Sequence, residues 1–226
     1  MEITPIAYIQ TEFSEKFGIP RQSGLASGLR GRIVFQKEYR APEALRGLEG
    51  FSHLWLIWGF SANRGGCQWQ PTVRPPRLGG NQHMGVFATR SPFRPNPLGL
   101  SCVEIESVEL DGLDGPVIVV KGADLMDGTP IYDIKPYIKY ADSRSEAVCG
   151  YVDSLQEKTL RVVIPDELAK VVPDVQALVE VLSLDPRPSY HDDSQRGYGM
   201  SFSGYNVRFR VADTDDVPTL YVTEIS

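Results

Sequence analysis

MGVFATRSPFRPNPLGLS, residues 84–101, is the stretch from which the rest of the chain is best read. Residues 84–89 are apolar apart from one Gly and one Thr, which suits a buried strand. The apolar run resumes at Leu98 and continues to Val103. Between the two runs, Pro92, Pro95 and Pro97 fix φ and push their predecessors toward extended backbone, so the loop is nearly ordered before anything binds it. It displays two guanidinium forks, Arg90 and Arg94, the ring of Phe93 and the amide of Asn96. A stiff loop of this kind suits a binding site. It equally suits a proline-rich corner of the fold with two solvated arginines, and the loop by itself supports both.

Upstream, residues 3–11, 32–37 and 52–61 read as strands, the last (SHLWLIWGFS) as a buried one. Residues 42–48 read as a short helix opened by Pro42. Residues 17–29 form a Gly/Ser-rich loop, and 63–80 a long irregular one of the length usually kept for function. Downstream, residues 101–110 place Val103, Ile105 and Val108 toward a core. A turn follows at 111–115, then strands at 116–125 and 129–138, with Pro136 marking an end or an edge. Many short strands separated by Gly/Pro turns make a mainly β fold, a barrel or a sandwich. Strand–helix alternation is missing, which excludes a doubly wound parallel sheet.

After Tyr140 the texture changes. Residues 141–150 are polar and read as a linker. Val175, Leu178, Val179 and Leu182 form a helical stripe within 173–184. Residues 199–211 and 219–225 alternate as two strands joined by an acidic turn. The organisation expected is therefore a β unit over 1–140, a linker over 141–150 and a small α+β domain over 151–226.

The chain has 226 residues, 42% hydrophobic and 23% charged, as in an ordinary globular protein. No apolar run reaches membrane-spanning length, and the N-terminus lacks the basic and apolar regions of a signal peptide. Cys67, Cys102 and Cys149 are widely spaced and form no CxxC, so neither a metal site nor a disulfide framework is indicated. A reducing cytoplasm fits best. The net charge of −6 argues against a nucleic-acid partner, yet no acidic residue lies between Glu49 and Glu104. That interval holds Arg64, Arg74, Arg77, Arg90 and Arg94 and no lysine. Either the interval is a core-forming segment short of one charge sign, or one face of the protein is basic. Arginine, suited to planar bidentate contacts with phosphate, favours the second.

Neither GxGxxG after a strand nor GxxxxGK[ST] occurs, and GxSxG is missing, which removes the common nucleotide loops and the serine-hydrolase elbow. Three features remain as parts of a small-molecule pocket. Pro20-Arg21-Gln22 is a polar trio on a loop. Asp124 and Asp127 bracket Leu125 and Met126, where carboxylates can accept from ribose hydroxyls or pair with an amine, or can simply cap a turn. Asp133 and Lys135 are two apart on a strand, the spacing of a surface ion pair.

Taken together, PRQ at 20–22, GLEGFSHLW at 47–55, PTVRPPRLGG at 71–80, MGVFATRSPFRPNPLGLS at 84–101, DLMDGTPIYDIKPY at 124–137 and DPRPSY at 185–190 resemble the TrmO family over nearly the whole chain. Its members are tRNA adenine-N6 methyltransferases dependent on S-adenosylmethionine. The resemblance implies an N-terminal β-barrel that binds the cofactor, unlike the Rossmann methyltransferases, with a small α+β C-terminal domain contacting tRNA, and a homodimer. It implies as substrate the N6-threonylcarbamoyladenosine at position 37 in the anticodon loop of threonine tRNA, and as product m6t6A, with no metal. Family cofactor contacts fall on Pro20, Arg21, Gln22, Arg90, Leu100, Asp124, Leu125, Met126 and Asp127. The family also carries a His-Gln pair after the third strand's Phe; here Phe60 is followed by Ser61-Ala62, and Ser61 offers a hydroxyl or its backbone. Asn96 between two prolines is the best group to orient the target nitrogen, with Arg94 a further catalytic candidate and Asp133 and Tyr132 weaker ones. Arg74, Arg77, Phe93, Arg187 and Tyr190 suit phosphate and base contacts on a single-stranded loop. The alternative class is a non-catalytic adaptor that senses the cofactor or binds RNA.

Overall fold

The computed structural model describes residues 2–61, 69–155, 159–187, 196–212 and 217–226. Ala62, Arg64, Cys67 and Tyr190 lie outside the described residues.

Strands β1 (Ala7–Gln10), β2 (Arg30–Phe35) and β3 (His53–Gly59) come first, then a two-residue ribbon of β4 (Thr72–Val73) and β5 (Met84–Gly85). Next are β6 (Leu98–Glu109), β7 (Val117–Lys121) and β8 (Thr129–Pro136). Six of these close a barrel in the order β1-β2-β7-β6-β3-β8, every neighbouring pair antiparallel. Alternation fills its interior: Leu54, Leu56 and Trp58 point inward from β3, and Val103 from β6, against Ile9, Ile33, Ile118 and Ile131.

The second half contains helix α1 (Lys139–Asp142), β9 (Arg161–Val163), α2 (Asp166–Ala169), α3 (Val175–Ser183), β10 (Gly197–Phe202), β11 (Tyr205–Ala212) and β12 (Thr219–Ile225). Its sheet runs β10-β11-β12-β9, with β9 parallel to β12. The Asp174 carboxylate caps α3 by accepting from Ala177 N at 3.0 Å, an arrangement worth about 1 kcal/mol. The helix buries Ala177, Leu178, Val181 and Leu182 on the sheet. Leu178 and Leu182 belong to the expected stripe, while Val175 and Val179 are only half-buried.

Three expectations need correction. Residues 84–89 are not a buried strand. Only Met84–Gly85 pairs, with β4, and Val86–Ala88 forms a 3-10 turn that buries Val86 and leaves Phe87 72% exposed. Pro71 and Pro75 bracket β4 and supply no N–H to lengthen the ladder. Residues 199–211 are a hairpin and not one strand: Ser203 and Gly204 turn with φ of 51° and 82°, the left-handed pair that reverses a two-residue hairpin. The helix over 42–48 is 3-10 over Pro42–Leu45, followed by another at Leu48–Gly50.

The two halves have separate cores, and a loop of the first half reaches into the core of the second. Phe13, Ala26 and Leu29, from the loop between β1 and β2, are buried in the core of the second half with Leu178, Met200 and Phe209. A Cβ on Gly18 would lie 2.6 Å from Met200 Cε, and Gly28 N donates to Glu180 Oε2 at 2.8 Å. The loop that carries Pro20-Arg21-Gln22 therefore rests on the C-terminal unit. Residues 141–150 are all exposed and join neither core. Among the described residues no helix is long and apolar enough to cross a membrane, and no cluster of His, Cys, Asp and Glu could hold a metal ion.

Candidate functional site

One end of the barrel opens into a cavity of about 530 Å3, within the range of small-molecule sites. Five segments meet there: the loop with Pro20, Arg21 and Gln22; the end of β3 with Trp58, Phe60 and Ser61; the proline loop with Arg90 and Arg94; the start of β6 with Leu98 to Leu100; and Asp124 and Met126 after β7.

The floor is a hydrogen-bonded chain. Trp58 Nε1 donates to Ser101 Oγ at 3.0 Å, and Ser101 Oγ donates to Asp124 Oδ1 at 2.6 Å. Ser101 is 2% exposed and Trp58 9%, so the chain is shielded from water. Because the indole fills an acceptor site on the hydroxyl, the single Ser101 hydrogen is committed to the carboxylate. Burial pushes the Asp124 carboxyl above its ordinary 3.8, opposed by the Ser101 hydroxyl, backbone amides at Asp124 and Ser23, and the Arg90 charge. An acid held partly dry, aimed into a cavity and poised against its own desolvation is a functional-site signature.

Glycine makes the floor possible. In the β3–β6 register Trp58 lies opposite Gly99, and a Cβ there would sit 2.2 Å from Trp58 Cε2. No side chain fits beneath that indole. Phe60 packs on Trp58 with ring centroids 4.4 Å apart, extending an aromatic wall.

The rim is polar. Arg90 Nη1 donates to Gln22 Oε1, and Gln22 Nε2 donates to the Arg21 carbonyl at 2.6 Å. This ties the proline loop to the 20–22 trio across the mouth. Arg21 Nη2 donates to the Asp185 carbonyl at 3.2 Å, linking the rim to the C-terminal unit. Arg94 folds back: its Nη1 donates to the carbonyls of Thr89 at 3.0 Å and Ser91 at 3.3 Å, and its guanidinium lies over the Phe87 ring at 5.9 Å. It thus holds the loop's shape and also lines the cavity.

Of the expected cofactor residues, Pro20, Arg21, Gln22, Ser61, Arg90, Leu100, Asp124 and Met126 line this cavity. Leu125 is buried in the barrel core, its carbonyl taking Thr11 Oγ1 at 3.0 Å. Asp127 does not line the cavity; it accepts from Thr11 N at 3.0 Å, a long-range contact and not a cap on its own turn. Asn96 is exposed at the tip of the proline loop, its carbonyl accepting from Leu98 N at 2.7 Å. Phe93, on the same loop, is 44% exposed and does not line the cavity. Asp133 is ion-paired with Lys135 at 3.1 Å and does not line the cavity. Arg74 Nε donates to His83 Nε2 at 3.0 Å beside the small ribbon. Arg77 and Arg187 face a smaller neighbouring cavity. Sequence reasoning missed Trp58, Ser101 and Gly99. A Ser in an apolar strand, two residues from a Gly, was the available signal, since a buried hydroxyl needs partners.

The geometry can be set against known proteins. The family models for the tRNA-methyltransferase O N-terminal domain and the TrmO C-terminal domain match residues 8–143 and 157–226. A tRNA (adenine(37)-N6)-methyltransferase of Escherichia coli (strain K12) is 42% identical over 218 residues, covering 92% of each chain. One from Eikenella corrodens is 46% identical over 164 residues, 71% of this chain and 91% of that one. A crystal structure of TrmO superposes with a TM-score of 0.79 at 31% identity, covering 100% of this chain and 99% of the other. On both domains and on the barrel architecture, the chain belongs to the tRNA-methyltransferase O (TrmO) family.

Proposed function

We propose that the chain transfers a methyl group from S-adenosylmethionine to N6 of adenosine 37 in tRNA. We further take that adenosine to be N6-threonylcarbamoyladenosine in the anticodon loop of threonine tRNA, giving m6t6A. The observation that carries the reading is convergence: motif residues from five separated segments line one cavity with an aromatic wall and a half-buried carboxylate. The activity for which these relatives are named, adenine(37)-N6 methylation of tRNA, agrees with it.

The donor set fits the cofactor. Asp124 can accept from ribose hydroxyls or from an ammonium group, Gln22 and Arg90 can hold a carboxylate or ring nitrogens, and Trp58 and Phe60 give faces that favour a sulfonium. When bound, S-adenosylmethionine supplies a methyl activated by positive sulfur: the N6–carbon bond forms as the sulfur–carbon bond breaks, and the electron pair stays on sulfur. Such an in-line displacement gains most from alignment, which can supply roughly 7–11 kcal/mol of the barrier. The N6 lone pair of a threonylcarbamoyl adenosine is delocalised into both the purine and the carbonyl, so its proton must leave, to water at the open cavity mouth, for attack to occur. Asn96 and Arg94, on the loop beside the cavity mouth, are the groups we assign to orienting that nitrogen and its carbonyl. Asp133, paired with Lys135, is the least favoured of the three. Phe93 and Arg74 suit contacts to the splayed anticodon loop. We place the protein in the cytoplasm with its substrate and take it to act as a homodimer.

Mass spectrometry of nucleosides from tRNA incubated with purified protein and S-adenosylmethionine tests this. Methyl on N6-threonylcarbamoyladenosine supports it. Methyl on unmodified adenosine 37 alone removes the finer assignment, and cofactor binding without transfer returns the adaptor reading.

A further inference from the structure

A second cavity, of about 190 Å3, opens beside the first. Three parts of the chain that are remote in sequence build it: the loop residues Lys16 to Arg21, the 3-10 turn Pro76–Leu78, and the chain leaving α3 from Leu184 to Arg187. Lys16, Arg21, Arg77 and Arg187 face it, with Asp185 as its one carboxylate among the described residues. That carboxylate is already used. Arg187 grips it with Nε at 2.8 Å and Nη2 at 2.9 Å, while the Asp185 carbonyl takes Arg21 Nη2 at 3.2 Å. Asp185 is held at φ 52°, a conformation unusual for a residue with a side chain, so the turn is fixed by these contacts. Arg21 and Arg77 add two further guanidinium groups to this wall. Phe17, Val181 and Leu184 provide an apolar back wall. Lys16, Ile19, Pro20 and Arg21 are shared with the first cavity.

We propose that this second cavity takes a phosphodiester of the substrate tRNA next to the nucleotide being methylated, a proposal that rests on the first cavity holding the methyl donor. The volume suits a tetrahedral oxyanion and is too small for a nucleotide. Guanidinium forks match phosphate oxygens bidentately, and a desolvated wall strengthens the attraction. A nucleotide extruded into the first cavity carries its neighbouring phosphates to just outside it, where the shared wall lies. Arg21, lining both cavities and bonded to Asp185, would couple occupancy of one to the other. A free phosphate ion offers the same chemistry as a phosphodiester, and the test separates the two sources.

The test uses the full chain, an anticodon stem-loop RNA carrying the threonylcarbamoyl group, and the variants Arg77→Gln and Arg77→Lys. Arg77 is on a surface turn and does not touch the first cavity. Anisotropy over a salt series should show a log–log slope shallower by about 0.7 for Arg77→Gln, the loss of one phosphate contact on a single strand. The same variant should show a raised KM for tRNA at little-changed kcat, and unchanged cofactor affinity. Arg77→Lys should recover most of the slope. An unchanged slope and KM in Arg77→Gln overturns the proposal. So does an Arg77-dependent site for inorganic phosphate that leaves RNA affinity untouched, since the cavity then serves a free anion. If the wild type binds RNA yet transfers no methyl group, the functional reading fails while the salt slope still reports on this cavity.

Discussion

Asp124→Asn separates a functional carboxylate from a structural one. The side chain keeps its shape, and the Ser101 hydroxyl can still donate to the remaining oxygen. What is lost is charge. A hydrogen bond to a charged partner is worth roughly 1.5–3 kcal/mol, which converts to about 10- to 150-fold in Kd. Calorimetry at pH 7 should therefore show S-adenosylmethionine binding weakened by that factor. Stability should move the other way. Burial raises the Asp124 pKa in the folded protein, so its contribution to stability is complete below the ordinary carboxylate range and is lost as pH rises through the raised value. Above the raised value the free protein carries an ionised, partly dry carboxylate, and the amide removes that cost. Denaturant melts of the free protein should show Asp124→Asn at least as stable as the parent. In the parent, cofactor affinity should fall as pH drops through the raised pKa, because the acid must then lose a proton to bind; the variant should lack that limb. Unchanged affinity at pH 7, or a large loss of stability with affinity preserved, would refute the reasoning.

Three further outcomes follow from the packing. Gly99→Ala places a methyl where the Trp58 ring lies; overpacking should cost about 1–3 kcal/mol in denaturant melts, and displacing the indole should weaken cofactor binding as well. Leu178→Ala, in the C-terminal core, should cost about 2–5 kcal/mol. It should also weaken cofactor binding at temperatures where the fold survives, because Phe13 and Leu29 seat the 20–22 loop on that core. Glu12, whose buried Oε2 has no hydrogen-bond partner among the described residues and whose pKa burial raises, opposes folding as pH rises through that pKa; Glu12→Gln should flatten the fall in stability seen in pH-dependent melts.

The barrel was legible where the chain writes its period plainly. β1, β3, β7 and β8 sit within the expected strands, shorter at one or both ends because pairing stops before the apolar pattern does, while β2 starts two residues earlier than expected, at Arg30. The proline loop was legible too, since Pro92, Pro95 and Pro97 act locally. Residues 84–89 misled because an apolar run without a partner strand remains a turn, and the prolines around β4 deny it that partner. Residues 199–211 misled because Ser203-Gly204 hides a reversal inside an unbroken alternation. At the site, Arg21, Gln22, Arg90 and Asp124 announced themselves as polar residues on loops. Trp58, Ser101 and Gly99 did not, because their roles depend on the β3–β6 register, a tertiary fact that no local spacing encodes. The seating of the 20–22 loop on the C-terminal core was invisible for the same reason: Phe13 and Leu29 look like ordinary barrel residues until the second half folds around them.

The central claim is that five separated segments form one cofactor site at the end of the barrel. A crystal structure of the protein with the product thioether S-adenosylhomocysteine tests it most directly. The account predicts density in the large cavity, against Trp58 and Leu100, with ligand polar atoms within hydrogen-bond distance of Asp124 and of Gln22 or Arg90. Density outside that cavity, or a ligand within it that leaves Asp124 without a contact, would contradict the account.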